Sequence, residues 1–131
     1  MKKSIVFIAL GLLVFAACKK SETPAVYNID GLWMGHYGNG DSGVIDMYYS
    51  FAIKPGGLIT VEADDSVSPG TAHGTWTLVG DSFKTTYSYI NSGPTYSAVA
   101  KFDKNAATLN GTWGSGTNNS GGGRFHMDLQ K

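Results

Sequence analysis

The chain contains a single cysteine, Cys18, among its 131 residues. No disulfide can form within it, so its stability has to come from packing. Charge is scarce at 15%, and the ten Lys and Arg are matched by ten Asp and Glu. Without a basic surplus clustered on one face, nucleic acid is excluded as a partner. The most apolar stretch, Ile5 to Ala17, is only 13 residues long. A membrane-spanning helix needs about 20. Nothing longer than a turn or two reads as helix. What the chain does have is 18 glycines and 12% aromatics, a composition suited to many short strands joined by glycine turns.

Lys2 and Lys3, the uncharged run Ile5–Ala17 and the small pair Ala16-Ala17 have the layout of a secretory signal with its cleavage site. Removing residues 1–17 also removes Lys2 and Lys3, and leaves an excess of two acids over bases. Residues 19–28 follow, polar, with Pro24 and no periodicity, and read as a tether. From Ile29 to Lys131 the chain has the size of one domain with one core.

Within that domain the pattern has period two. The clearest run is Val44–Lys54, where Ile45, Met47, Tyr49, Phe51 and Ile53 share one face. The same alternation recurs over Leu58–Asp64, Thr71–Val79, Ser82–Tyr89, Thr95–Phe102, Thr108–Gly114 and Arg124–Gln130. With Gly31–Gly38 as the first, eight strands are expected. Pro55-Gly56-Gly57, Gly80-Asp81 and Asp103-Lys104-Asn105 carry turn chemistry between them. Eight consecutive strands with short links form an antiparallel meander. Eight is also the number that closes into an up-and-down β-barrel and so removes exposed edges. An open sandwich is the rival, but these loops are too short for its Greek-key crossings.

Alternate connections of a meander lie at the same end. Residues 39–43, 64–70, 90–94 and 115–123 should therefore form a long-loop mouth. Residues 55–57, 80–81 and 103–106 form a tight rim, which also takes both ends of the domain and the tether. The mouth should point away from whatever holds the tether.

Gly-x-Trp occurs three times, at Gly31-Leu32-Trp33, Gly74-Thr75-Trp76 and Gly111-Thr112-Trp113. Parity turns each Trp inward with its Gly on the same face, where the missing side chain leaves room for an indole. Eleven large rings point in by parity: Trp33, Tyr49, Phe51, Trp76, Phe83, Tyr87, Tyr89, Tyr96, Phe102, Trp113 and Phe125. An eight-stranded barrel has space for side chains or for one small ligand. Two outcomes stay open, rings that fill the barrel solidly and a pocket in which Trp33, Tyr49, Trp76, Tyr87, Tyr96 and Trp113 contact a ligand.

Several motifs carry little. Gly38-Asn39-Gly40-Asp41-Ser42-Gly43 satisfies G-x-G-x-x-G, but a strand follows it where a dinucleotide site needs a helix. Gly40-Asp41-Ser42-Gly43 matches the surroundings of a trypsin-like serine in a chain too short for that fold. His36, His73 and His126 fall on the outer face, with His36 and His126 on strands that become neighbours at closure. A zinc site wants three or four ligands, so no metal is assigned. Asp41, Asp64 and Asp65 decorate the mouth loops without a fixed calcium loop. No inward Ser/His/Asp set or carboxylate pair points to catalysis, and no cofactor is expected.

Phe15-Ala16-Ala17-Cys18 resembles the lipobox of bacterial lipoproteins, with Phe15 where that family usually has Leu. The resemblance implies acylation of Cys18, as by palmitate, and a mature chain that begins there. The residues from Gly31-Leu32-Trp33 through the repeated Gly-Thr-Trp resemble the calycin group of lipocalin-like and avidin-like barrels. The whole resembles the small lipocalin-like lipoproteins of Bacteroidota, whose anchors read Cys-Lys-Lys as Cys18-Lys19-Lys20 does. There is no helix beside the barrel as in typical lipocalins, and avidin's biotin contacts do not map onto this chain. The resemblance implies a cell-envelope barrel on the outer membrane, since Lys19 rather than Asp follows Cys18. Lys19-Lys20-Ser21-Glu22 lacks the acidic run that accompanies surface export, so a periplasm-facing position is expected. Asp65-Ser66-Val67 resembles the short O-glycan acceptor of the same bacteria. The expected function is binding of a small hydrophobic or aromatic ligand inside the barrel or at its mouth. The alternative is a solid barrel, neither enzyme nor carrier, that presents rim loops to an envelope protein in the manner of an inhibitor.

Overall fold

The computed structural model describes residues 27–40, 43–63, 70–91 and 93–131. Its strands are β1 (Gly31–Tyr37), β2 (Met47–Lys54), β3 (Leu58–Ala63), β4 (Gly70–Val79), β5 (Ser82–Tyr89), β6 (Thr95–Asp103), β7 (Thr108–Ser115) and β8 (Gly123–Leu129). Each pairs antiparallel with the next, and β1 pairs with β8, so the sheet closes into a barrel in simple chain order. The expected all-β, eight-stranded architecture is the one observed, and no helix occurs among the described residues. The expected signal segment 1–17, the expected anchor Cys18 and residues 19–26 of the expected tether lie outside them, as do Asp41, Asp64, Asp65, Ser66 and Val67.

Closure follows from the period-two pattern. β5 shows it most plainly: Phe83, Thr85 and Tyr87 are buried while Lys84, Thr86 and Ser88 are exposed. One face of every strand is too apolar to meet water, and a closed ring buries all eight faces without leaving an edge. All eleven rings expected to point inward belong to the core or pack against it.

β2 begins three residues later than the alternation suggests. Beyond Tyr37 the chain of β1 bonds toward the β8 side: Gly38 N donates to Arg124 O at 2.9 Å and Gly40 N to Gly122 O at 2.7 Å. Val44 to Asp46 therefore have no ladder partner across from them, and Val44 is exposed.

The two ends differ as expected. At the tight rim Ile29 is buried and its carbonyl accepts from Trp33 Nε1 at 3.0 Å. Tyr27, read from sequence as part of the tether, packs edge-on against Phe102 with ring centroids 6.2 Å apart. Lys104 Nζ sits 4.6 Å above the Tyr27 ring. Asn28 closes an Asx turn by accepting from Asp30 N at 2.9 Å. The barrel floor thus reaches two residues further toward the N-terminus than the composition indicated.

Candidate functional site

A cleft of about 550 Å³ opens at the long-loop end, walled by Tyr37, Met47, Tyr49, Ala63, Tyr87, Tyr89, Tyr96 and Trp113, with Asn39, Asn91, Thr71 and Pro94 at its margin. It holds four of the six residues singled out as ligand contacts: Tyr49, Tyr87, Tyr96 and Trp113. The other two stand elsewhere. Trp33 is fully buried at the floor against Phe102, and Trp76 closes the tight rim by donating from Nε1 to Lys54 O at 2.9 Å. Strand position decides this, because Trp33 lies near the start of β1 and Trp113 near the mouth end of β7.

Tyr37 and Tyr89 complete the wall. Tyr89 is one of the eleven rings expected inward; Tyr37 is not among them, although it shares the parity of Trp33 two turns of pleat further along β1. Ring contacts run from Tyr49 to Tyr37, from Tyr37 to Trp113, from Trp113 to Tyr96 and from Tyr96 to Tyr87, at centroid spacings of 5.2, 5.8, 5.9 and 6.2 Å. A hydrogen bond between the Tyr87 and Tyr49 hydroxyls closes the circuit. Five strands thereby contribute to one hoop of rings. Below it Phe51, Phe83 and Phe125 are buried, with Phe51 in contact with both of the others. The lower half of the barrel is solid and the upper half is open.

Burial is the first cause of the electrostatics here. It raises the Tyr49 phenol well above its ordinary value, with the neighbouring Tyr87 adding to the effect. Tyr87 is also raised by burial, partly offset by its bond to Tyr49. Both are therefore neutral hydroxyls at any physiological pH.

Trp113 sits in a cradle of glycines. A Cβ on Gly122 would lie 2.5 Å from the indole carbons, and one on Gly123 would lie 3.0 Å from Nε1. That nitrogen donates to Gly38 O at 3.2 Å. The room for the Trp113 indole thus comes from Gly122 and Gly123, where the connection meets β8, and in two of the three Gly-x-Trp motifs the Gly has a different purpose. At Gly74 an added Cβ would lie 2.0 Å from the Thr86 carbonyl oxygen, on the adjoining strand. The glycine permits backbones to approach where the barrel wall curves.

The outer-face histidines are placed as expected, and His36 is directly opposite His126 in the β1/β8 register. His126 Nδ1 lies 2.6 Å from Asn110 Oδ1 and Nε2 lies 3.4 Å from Asp128. Among the described residues no three His, Cys, Asp or Glu side chains converge as a metal site would require.

No protein-family model matches the chain, and no curated protein matches it. Function has to be read from the barrel and its cleft.

Proposed function

We propose that this protein is a lipid-anchored, non-enzymatic envelope barrel that binds a small apolar or aromatic molecule in its mouth. The observation that carries the reading is the cleft itself: about 550 Å³ of open space walled by tyrosine and tryptophan rings above a solid phenylalanine core. Small-molecule sites are concave, mostly apolar and furnished with a few polar groups. Tyr and Trp supply large contact area with little conformational entropy to lose. The anchor rests on the Lys2-Lys3, Ile5–Ala17 and Cys18 pattern and its resemblance to a lipobox. Lys19 at the following position supports outer-membrane retention facing the periplasm.

The binding test uses N-phenyl-1-naphthylamine, an uncharged fluorescent probe, on the full chain, with competition by unlabelled aromatics. Ala63→Phe should fill the cleft and abolish saturable binding, while β-sheet circular dichroism stays unchanged. Saturable binding that survives both Ala63→Phe and Tyr96→Ala would place the probe elsewhere and overturn the cleft as the site. For the anchor, Cys18→Ser should lose acyl label and leave the membrane fraction. Unchanged fractionation would defeat that assignment.

A second reading has its own observation. Val44 and Ile90 are 75% and 61% exposed on connections at the mouth, where apolar side chains could meet a protein partner. Failure of every small aromatic to bind, together with loss of a pulled-down envelope protein in Val44→Asp and Ile90→Asp, would favour it.

A further inference from the structure

We infer that the cleft is built for an organic ammonium ion, an aromatic or aliphatic cation without strong hydrogen-bond demands. This inference rests on the ligand-binding reading above and names the ligand's charge. Three features of the site converge on it.

The first is the kind of ring. The hoop consists of Tyr37, Tyr49, Tyr87, Tyr96 and Trp113, and the barrel's phenylalanines stand below it. A purely hydrophobic site would be served as well by phenylalanine. Tryptophan and tyrosine present stronger negative faces, and a desolvated cation gains most over such rings.

The second is that three of the hoop's five polar handles are already engaged. The Tyr49 and Tyr87 hydroxyls bond each other, and Trp113 Nε1 donates to Gly38 O. The hoop itself therefore offers few directional donors to a sugar or carboxylate, and Asn39, Asn91 and Thr71 stand only at the margin. A quaternary ammonium asks only for ring faces.

The third is charge. Among the described residues lining the cleft there is no Lys, Arg or His to repel a cation. The described residues of the connections at this end, 38–40, 43–46, 90–91, 93–94 and 116–122, include Asp46 and no basic residue. A bound cation therefore meets no like charge from the lining, and the Asp46 carboxylate favours its approach at low salt.

The test compares benzyltrimethylammonium with neopentylbenzene, its uncharged carbon isostere, by ligand-observed NMR titration of the full chain. The cation should bind at least tenfold more tightly. Tyr96→Leu, which keeps apolar volume but removes a ring, should shrink that preference several-fold, and Tyr96→Phe should retain most of it. Sheet content by circular dichroism verifies that both variants fold. If the isostere binds as tightly as the cation, the charge assignment is overturned while the binding cleft stands. If neither binds, both fall. A preference that is undiminished in Tyr96→Leu and in Tyr37→Leu would show that the rings do not supply it, and would also overturn the inference.

Discussion

The hydroxyls of Tyr49 and Tyr87, 38 residues apart in the chain, hydrogen-bond to each other inside the barrel, one from β2 and one from β5. Each phenol is the other's hydrogen-bond partner, and both side chains are buried. Removing one oxygen strands the other, and a buried unsatisfied hydroxyl costs about 1–3 kcal/mol. Tyr49→Phe and Tyr87→Phe should each destabilise by about that amount in denaturant unfolding. The double variant removes both polar atoms together, so its cost should fall short of the sum. An additive result would show that the bond contributes nothing specific.

The same pair makes the fold sensitive to alkali. Both phenols have folded-state values raised above the ordinary 10.0, chiefly by burial. Below pH 10 both folded and unfolded chains hold these protons, and the pair leaves stability independent of pH. Above pH 10 the unfolded chain ionises first, so stability is lost as pH rises toward the folded-state values. The loss is up to about 1.4 kcal/mol per pH unit for each tyrosine, or about 2.7 for the two. Urea midpoints measured between pH 9 and 11.5 should fall from pH 10 onward, and Tyr49→Phe/Tyr87→Phe should flatten that fall. Absorbance of these two tyrosinates should appear together with unfolding rather than before it.

The sequence disclosed the barrel because period-two alternation is a local signal, repeated eight times, and because turn residues mark each reversal. It disclosed the mouth and the floor for the same reason, since loop lengths alternate along a meander. The division of rings between them was harder to see. Parity tells which way Trp33 and Trp113 point but not at what height in the barrel they stand. Height follows from each ring's position along its strand: Trp33, near the start of β1, stands opposite Phe51 and Leu129 toward the floor, and Trp113, near the end of β7, stands at the mouth. Tyr37 was within reach of the same parity argument. Tyr27 was not, because a lone ring in a polar segment has no periodicity and is held by Phe102 and Lys104 from far along the chain.

The glycine cradle predicts its own substitution. Gly122 does not have a positive φ, so alanine there meets no backbone penalty, only the indole 2.5 Å away. Gly122→Ala should push Trp113 outward, shift its fluorescence emission, and cost about 1–3 kcal/mol as overpacking does. Gly121→Ala is the contrasting change. Its φ of 91° strains any side chain, yet nothing lies within 4 Å of the new methyl. It should lower stability while leaving Trp113 emission unchanged. Equal spectral shifts in the two variants would refute the cradle.

At the opposite end the turn between β6 and β7 holds Ala107 at φ 55°, the only non-glycine among the described residues with a positive φ. Asp103 imposes that turn: its Oδ1 accepts from Asn105 N at 2.9 Å and Ala106 N at 3.1 Å. Those two bonds hold its carboxyl below the ordinary value, Ala106 contributing most. Its support is therefore present above the unfolded-state value and fades as pH falls through the folded one. With the turn fixed by Asp103, the left-handed conformation costs alanine about 1–2 kcal/mol, while glycine adopts it freely at an entropic cost of about 0.5–1 kcal/mol. Ala107→Gly should consequently raise unfolding stability by about 0.5–1 kcal/mol without changing ligand affinity, since residue 107 lies at the rim away from the cleft. A destabilised Ala107→Gly would mean that the methyl group packs against the floor by more than its backbone strain costs.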